Sequence, residues 1–224
     1  MICLLCVGLF YWYVSDYYHA DGRVQEYMVS DDTVTVVKEE GWISFETPSA
    51  DTGIILYPGA KVEAISYAPL MRGLAEKGIN AYLVQMPFNF AFFGISSADR
   101  IIHDDLSCWY LCGHSLGGSM AASYVEGKED IDGLILLASY AANDLSDTGL
   151  SVLSVYGSED GVLNMQKYEA NRVNLPEDTV EVIISGGNHA GFAYYGPQEN
   201  DHPSLISADE QISDTIEAIA DFIG

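Results

Sequence analysis

From residue 52 onward, short apolar blocks alternate with segments of helical spacing, and no other feature restricts the fold as much. The blocks at 52–57, 79–86, 109–112, 133–138, 151–156 and 179–184 read as strands. Between and after them, residues 67–77, 91–105, 116–126, 164–172 and 207–223 have helical character, the last with Ile212, Ile216, Ile219 and Ile223 on one face. Strands apolar on both faces and separated by helices imply a mostly parallel sheet covered on both sides, an α/β class. Two further blocks, 33–38 and 41–46, follow one another with no helix between them and predict an antiparallel lead-in. A chain of 224 residues supports one sizeable core.

Charge excludes several partners. Nine Lys and Arg stand against 33 Asp and Glu, a formal net charge of −24. Phosphate backbones need clustered basic side chains, so nucleic acid is excluded, and an anionic lipid surface is disfavoured.

The first fifteen residues carry no charge, and aromatics crowd their far end at Phe10, Tyr11, Trp12, Tyr13, Tyr17 and Tyr18. This resembles an interfacial aromatic belt beside the first acid, Asp16. Residues 1–18 are therefore expected to be an N-terminal membrane anchor (transmembrane helix), with a buried helix as the alternative, and residues 19–224 to form the domain. The lack of positive charge after the anchor fits an extracytoplasmic domain; a cytoplasmic location is the alternative.

Cys108 and Cys112 lie in the run 107–113, which reads as a buried strand. Four residues along a strand is about 13 Å, beyond the reach of a disulfide. They are expected to be inert packing thiols.

The chemistry begins at Gly113-His-Ser-Leu-Gly117, a G-x-S-x-G pentapeptide with a strand before it and a helix after it. That context turns a Gly-rich turn into a sharp elbow that lifts Ser115 to the carboxyl edge of the sheet. A serine hydroxyl needs a base to take its proton, and the base needs an orienting acid. The strand 151–156 runs into Gly157-Ser-Glu-Asp-Gly161, which makes Asp160 the candidate acid and Glu159 its rival. The strand 179–184 leads through Ser185-Gly-Gly-Asn188 to His189, the candidate base. His202 is its rival, in a later polar loop. His19 and His103 lie before the serine, and His114 neighbours the nucleophile and points away from it. For the oxyanion, one donor is the N–H of Leu116; the other is expected from 57–61, with Ala60 first and Gly59 next. No metal or cofactor is implied.

These residues, in the order Ser115, Asp160, His189, resemble the alpha/beta-hydrolase superfamily. The strings Leu56-Tyr-Pro-Gly-Ala-Lys-Val-Glu63, Tyr67-Ala-Pro-Leu70, Gly186-Gly-Asn-His189 and Tyr195-Gly-Pro-Gln198 are similar to its small "fold-5" group. The resemblance implies a serine hydrolase with esters as the default substrate, and it adds weight to the N-terminal anchor.

Only 45 positions separate Ser115 from Asp160, and the stretch 139–150 is too short for the helical cap that larger relatives place there. A minimal or absent cap leaves an open, shallow site, suited to short acyl groups and poorly to long lipid chains. The expectation is a serine esterase working through an acyl-enzyme on a small, neutral ester, since an open site in a negative field disfavours anions. The alternatives are thioesterase, amidase or acyltransferase chemistry on the same triad, or a non-catalytic binding module at a membrane.

Overall fold

The computed structural model describes residues 2–103 and 105–224, without the side chains of residues 2–7 and 11. Eight strands form one sheet in the order β1-β2-β4-β3-β5-β6-β7-β8. They are β1 (Thr35–Glu39), β2 (Trp42–Glu46), β3 (Thr52–Tyr57), β4 (Asn80–Val84), β5 (Cys108–His114), β6 (Gly133–Leu137), β7 (Ser151–Gly157) and β8 (Val180–Ile184). β1 and β2 form the antiparallel lead-in, joined through Gly41 at φ +97°, a conformation glycine reaches without cost. β2 also runs antiparallel to β4, and every later pairing is parallel.

The apolar side chains of each strand divide between the two faces. Ile54, Leu56, Cys112, Ile135 and Leu153 pack beneath α2 (Ala68–Glu76) and α5 (Ala208–Ile223). Ile55, Tyr57, Leu111, Leu134 and Val152 pack beneath α3 (Leu116–Val125). α4 (Met165–Asn171) contributes Tyr168 to a small outlying cluster with Tyr156 and Leu163. α5 opens on a capping box in which the Ser207 hydroxyl accepts from Glu210 N–H and the Glu210 carboxylate accepts from Ser207 N–H. Such caps are worth about 1 kcal/mol. Residues 138–150 form turns with no helix, so no cap rises over the sheet from this segment.

Two expectations fail. The helix expected over 91–105 is a series of single 3-10 turns, Ala91–Phe93 and Ser97–Arg100, with Asp104 outside the described residues. The chain enters this region through Phe88 and Asn89, both at φ +56°, and Gly94 breaks it again, so no continuous α-helical turn is established.

The membrane anchor is the other. α1 (Ile2–Ser15) is a helix of 14 residues, and no described helix is long and apolar enough to cross a membrane. At ~1.5 Å per residue it spans roughly 21 Å against a hydrocarbon core of about 30 Å. On its C-terminal side the apolar run stops at Asp16, which binds the Lys61 ammonium at 2.8 Å. Its far end packs on the protein instead: Phe10 meets Phe88 and Phe93 edge-on, Tyr13 stacks on Phe90, and Val14 is buried. The expectation of a transmembrane anchor carrying an extracytoplasmic domain is corrected accordingly.

Candidate active site

Ser115 sits between β5 and α3 with φ +54° and ψ −123°, a backbone region that costs a non-glycine residue about 1–3 kcal/mol. The surroundings hold it there. Its N–H donates to Leu137 O at 2.9 Å, and its own carbonyl accepts the buried Ser139 hydroxyl at 2.7 Å. Close packing explains the flanking glycines. A Cβ on Gly113 would lie 2.5 Å from the Gly117 backbone, and one on Gly117 would lie 2.1 Å from Tyr57 O. The second contact presses the end of β3, and so the Pro58–Lys61 loop, against the start of α3.

The β7 loop carries Asp160 and the β8 loop carries His189. The Asp160 Oδ2 to His189 Nδ1 distance is 2.9 Å, with both side chains 1% exposed. The other carboxylate oxygen of Asp160 accepts the N–H groups of Val162 (2.8 Å) and Leu163 (2.7 Å), which fixes the direction of the acid. Nε2 of His189 is buried and has no hydrogen-bond partner among the described residues. A buried polar nitrogen left unpaired costs free energy unless something else occupies the position. His189 lines a cavity of about 220 Å³ together with Ser115, Leu116, Ser119, Tyr140 and Leu163.

Neither rival lines this cavity. Glu159 accepts a bond from the Ser158 hydroxyl, and His202 is exposed. His19 is exposed beside Glu63, and His103 packs on Tyr82 and Trp109. Of the two oxyanion candidates on the β3 loop, Gly59 spends its N–H on the Tyr67 hydroxyl at 3.1 Å. The N–H groups of Ala60 and Leu116 have no partner among the described residues.

His114 and Tyr67 have a part that their sequence positions did not suggest. Both are fully buried; Tyr67 Oη lies 2.7 Å from His114 Nδ1, and His114 Nε2 lies 3.1 Å from the carbonyl of His189. Burial, and then the neighbouring His189, hold the His114 pKa well below the usual histidine value, while burial pushes the Tyr67 hydroxyl up. His114 was visible inside the motif, but a side chain's direction below the elbow is not written in the local sequence. Cys112 is buried with its pKa raised by desolvation, and neither it nor Cys108 forms a disulfide. Among the described residues, no group of three or more His, Cys, Asp or Glu side chains is placed to hold a metal ion.

Residues 53–213 match the model of the alpha/beta hydrolase family. Solved structures align over most of both chains at low identity. A predicted CIB-like hydrolase from Thermoplasma acidophilum superposes with a TM-score of 0.61 at 15% identity, covering 84% of this chain and 98% of the other. Est1E from Butyrivibrio proteoclasticus gives 0.60 at 14%, covering 86% and 98%, and the monoacylglycerol lipase of Paleococcus ferrophilus gives 0.61 at 14%, covering 84% and 99%. No curated protein matches the sequence.

Proposed function

This chain belongs to the alpha/beta hydrolase family, and on that premise we propose that it is a serine hydrolase that cleaves carboxylic esters through an acyl-enzyme. The observation that carries the reading is His189: Nδ1 on a buried carboxylate, a buried, unpartnered Nε2, and a place in the same cavity as a serine on a strained elbow. A proton acceptor oriented from behind by a carboxylate, in the same cavity as the serine, is what a hydroxyl nucleophile requires, and the Ser115–His189 hydrogen bond, absent among the described residues, would form as substrate binds.

In this mechanism Ser115 Oγ attacks the acyl carbonyl as its proton passes to His189 Nε2. Asp160 accepts the Nδ1–H and stabilises the imidazolium that forms. The N–H groups of Leu116 and Ala60 hold the oxyanion. The imidazolium then protonates the leaving alcohol, and water attacks the acyl-enzyme by the same proton route in reverse. A cavity of about 220 Å³ beside Ser115 suits a short acyl group. Est1E, one of the structural relatives, has been solved with ferulic acid bound, and another relative is a monoacylglycerol lipase; both names accord with acyl chemistry.

A fluorophosphonate probe tests the proposal. The folded wild type is expected to be labelled and Ser115→Ala is not; a folded wild type that stays unlabelled overturns it.

A further inference from the structure

The β7–β8 ladder ends at the pair Gly157–Ile184, yet Asp160 and His189 lie three and five residues beyond it. Their 2.9 Å contact therefore depends on whatever aligns the two loops past the end of the sheet. Two backbone bonds help, Ser158 N–H to Ile184 O at 2.9 Å and Glu159 N–H to Gly187 O at 2.8 Å. Both act before the reacting side chains.

Beyond them stands one carboxylate. Oδ1 of Asp201 accepts the N–H of Gly161, directly after the acid, at 3.0 Å, and the N–H of His189 itself at 3.3 Å. It also accepts from His202 at 3.0 Å, while Oδ2 accepts the N–H of Ala190 at 2.9 Å. The segment around Asp201 is fitted to this place. A Cβ on Gly161 would lie 2.7 Å from His202 N and 2.8 Å from Asn200 O, so the two backbones touch. Asn200 turns the chain at φ +66°, a conformation asparagine tolerates better than most residues. The Asn188 side chain then fastens the segment by donating to His202 O at 2.8 Å.

We propose that Asp201 is a positioning residue: one carboxylate ties the backbone after the acid to the backbone of the base, and so sets the His189 imidazole against Asp160 and Ser115. This rests on the serine-hydrolase reading above. Bonds from N–H groups to an ionised acceptor are shorter and stronger than neutral ones, which suits a joint between two loops. Asparagine cannot replace it fully, because its NH₂ group meets an N–H donor at one of the two oxygen positions.

The test uses the full chain with Asp201→Ala and Asp201→Asn. The turnover of p-nitrophenyl acetate is measured per active site titrated with fluorophosphonate, together with KM, the thermal midpoint and the downfield proton signal of the His189 Nδ1–H. Displacement of the base is expected to lower kcat on the order of 10- to 100-fold for Asp201→Ala, with a smaller loss for Asp201→Asn. KM should stay within about twofold, and the downfield signal should broaden or vanish. A lowered thermal midpoint with wild-type kcat per titrated site and an intact signal assigns Asp201 to folding alone and overturns the inference. Should Asp201→Ala not fold, Asp201→Asn decides by the same criteria. A wild type that is not labelled sinks the serine-hydrolase reading instead, and the Nδ1–H signal still reports whether Asp201 aligns Asp160 with His189.

Discussion

The hydroxyl of Tyr67 lies 2.7 Å from Nδ1 of His114, and the partner on the other side of the ring determines which imidazole nitrogen carries the proton. Nε2 faces the carbonyl of His189, which can only accept, so Nε2 is the protonated nitrogen and Nδ1 accepts from Tyr67. Tyr67 Oη in turn accepts the N–H of Gly59. Donors and acceptors thus run in one direction, from the loop that carries Ala60 to the backbone of His189.

Tyr67→Phe removes the middle of that chain and leaves two buried partners, Gly59 N–H and His114 Nδ1, unpaired. Each unpaired buried group costs about 1–3 kcal/mol, so a loss on the order of 2–6 kcal/mol is expected in urea unfolding. The fluorophosphonate labelling rate should fall as well, because the β3 loop loses the bond that orients it. Unchanged stability would show that the bond is dispensable.

Acid stability should report on His114. Its folded pKa lies below the ordinary histidine value of 6.5, so as pH falls through 6.5 the unfolded chain takes up a proton that the folded chain refuses. Stability is therefore full above that pH and declines below it. His114→Gln keeps a donor for His189 O and cannot titrate. The fall in thermal midpoint between about pH 7 and pH 5 should be shallower in the variant than in the wild type. Parallel profiles would mean that His114 does not contribute.

Gly117→Ala tests the fit between the elbow and the end of β3. Its Cβ would stand 2.1 Å from Tyr57 O and 2.4 Å from Pro58 O, both backbone atoms that cannot swing aside. Overpacking of this kind costs about 3 kcal/mol. The variant is expected to melt earlier and to lose labelling at Ser115 even at temperatures where it remains folded.

Substrate choice follows from cavity and charge. Among p-nitrophenyl esters, rates should fall as the acyl chain outgrows the cavity of about 220 Å³. At low salt a neutral ester should outrun a matched anionic one, because the chain carries a net charge of −24, and added salt should narrow the gap. A preference for long chains, or equal rates for the matched pair at low salt, would contradict these expectations.

Much of the sheet was legible because its strands are apolar on both faces, a pattern that survives in any sequence burying such a sheet. The glycines around Ser115 were legible too, since close backbone approach leaves no substitute for them. The acid and base candidates could be named from their places after β7 and β8, and the structure sets them 2.9 Å apart. The region after Pro87 was not legible as turns, because helical spacing of apolar residues says nothing of the left-handed backbone at Phe88 and Asn89. The N-terminal segment misled for a related reason. Its apolar run matches a membrane span in character but not in length, and aromatic side chains that suggest a lipid interface also pack on Phe88, Phe90 and Phe93. Asp201 had no local signal at all, since one aspartate among 33 acidic residues is distinguished only by the backbones that converge on it.

The order of strands has a consequence for how the molecule fails. Ser115 hangs from β5, with β3 on one side and β6 on the other, whereas His189 hangs from β8, the outermost strand, which has a neighbour on one side only. Fraying at a sheet's margin requires less free energy than melting its centre. On warming, the hydrolase should release His189, the proposed proton acceptor, while Ser115, the proposed nucleophile, is still in place, so that inactivation precedes the collapse of the sheet and is reversed on cooling by re-zipping a single strand.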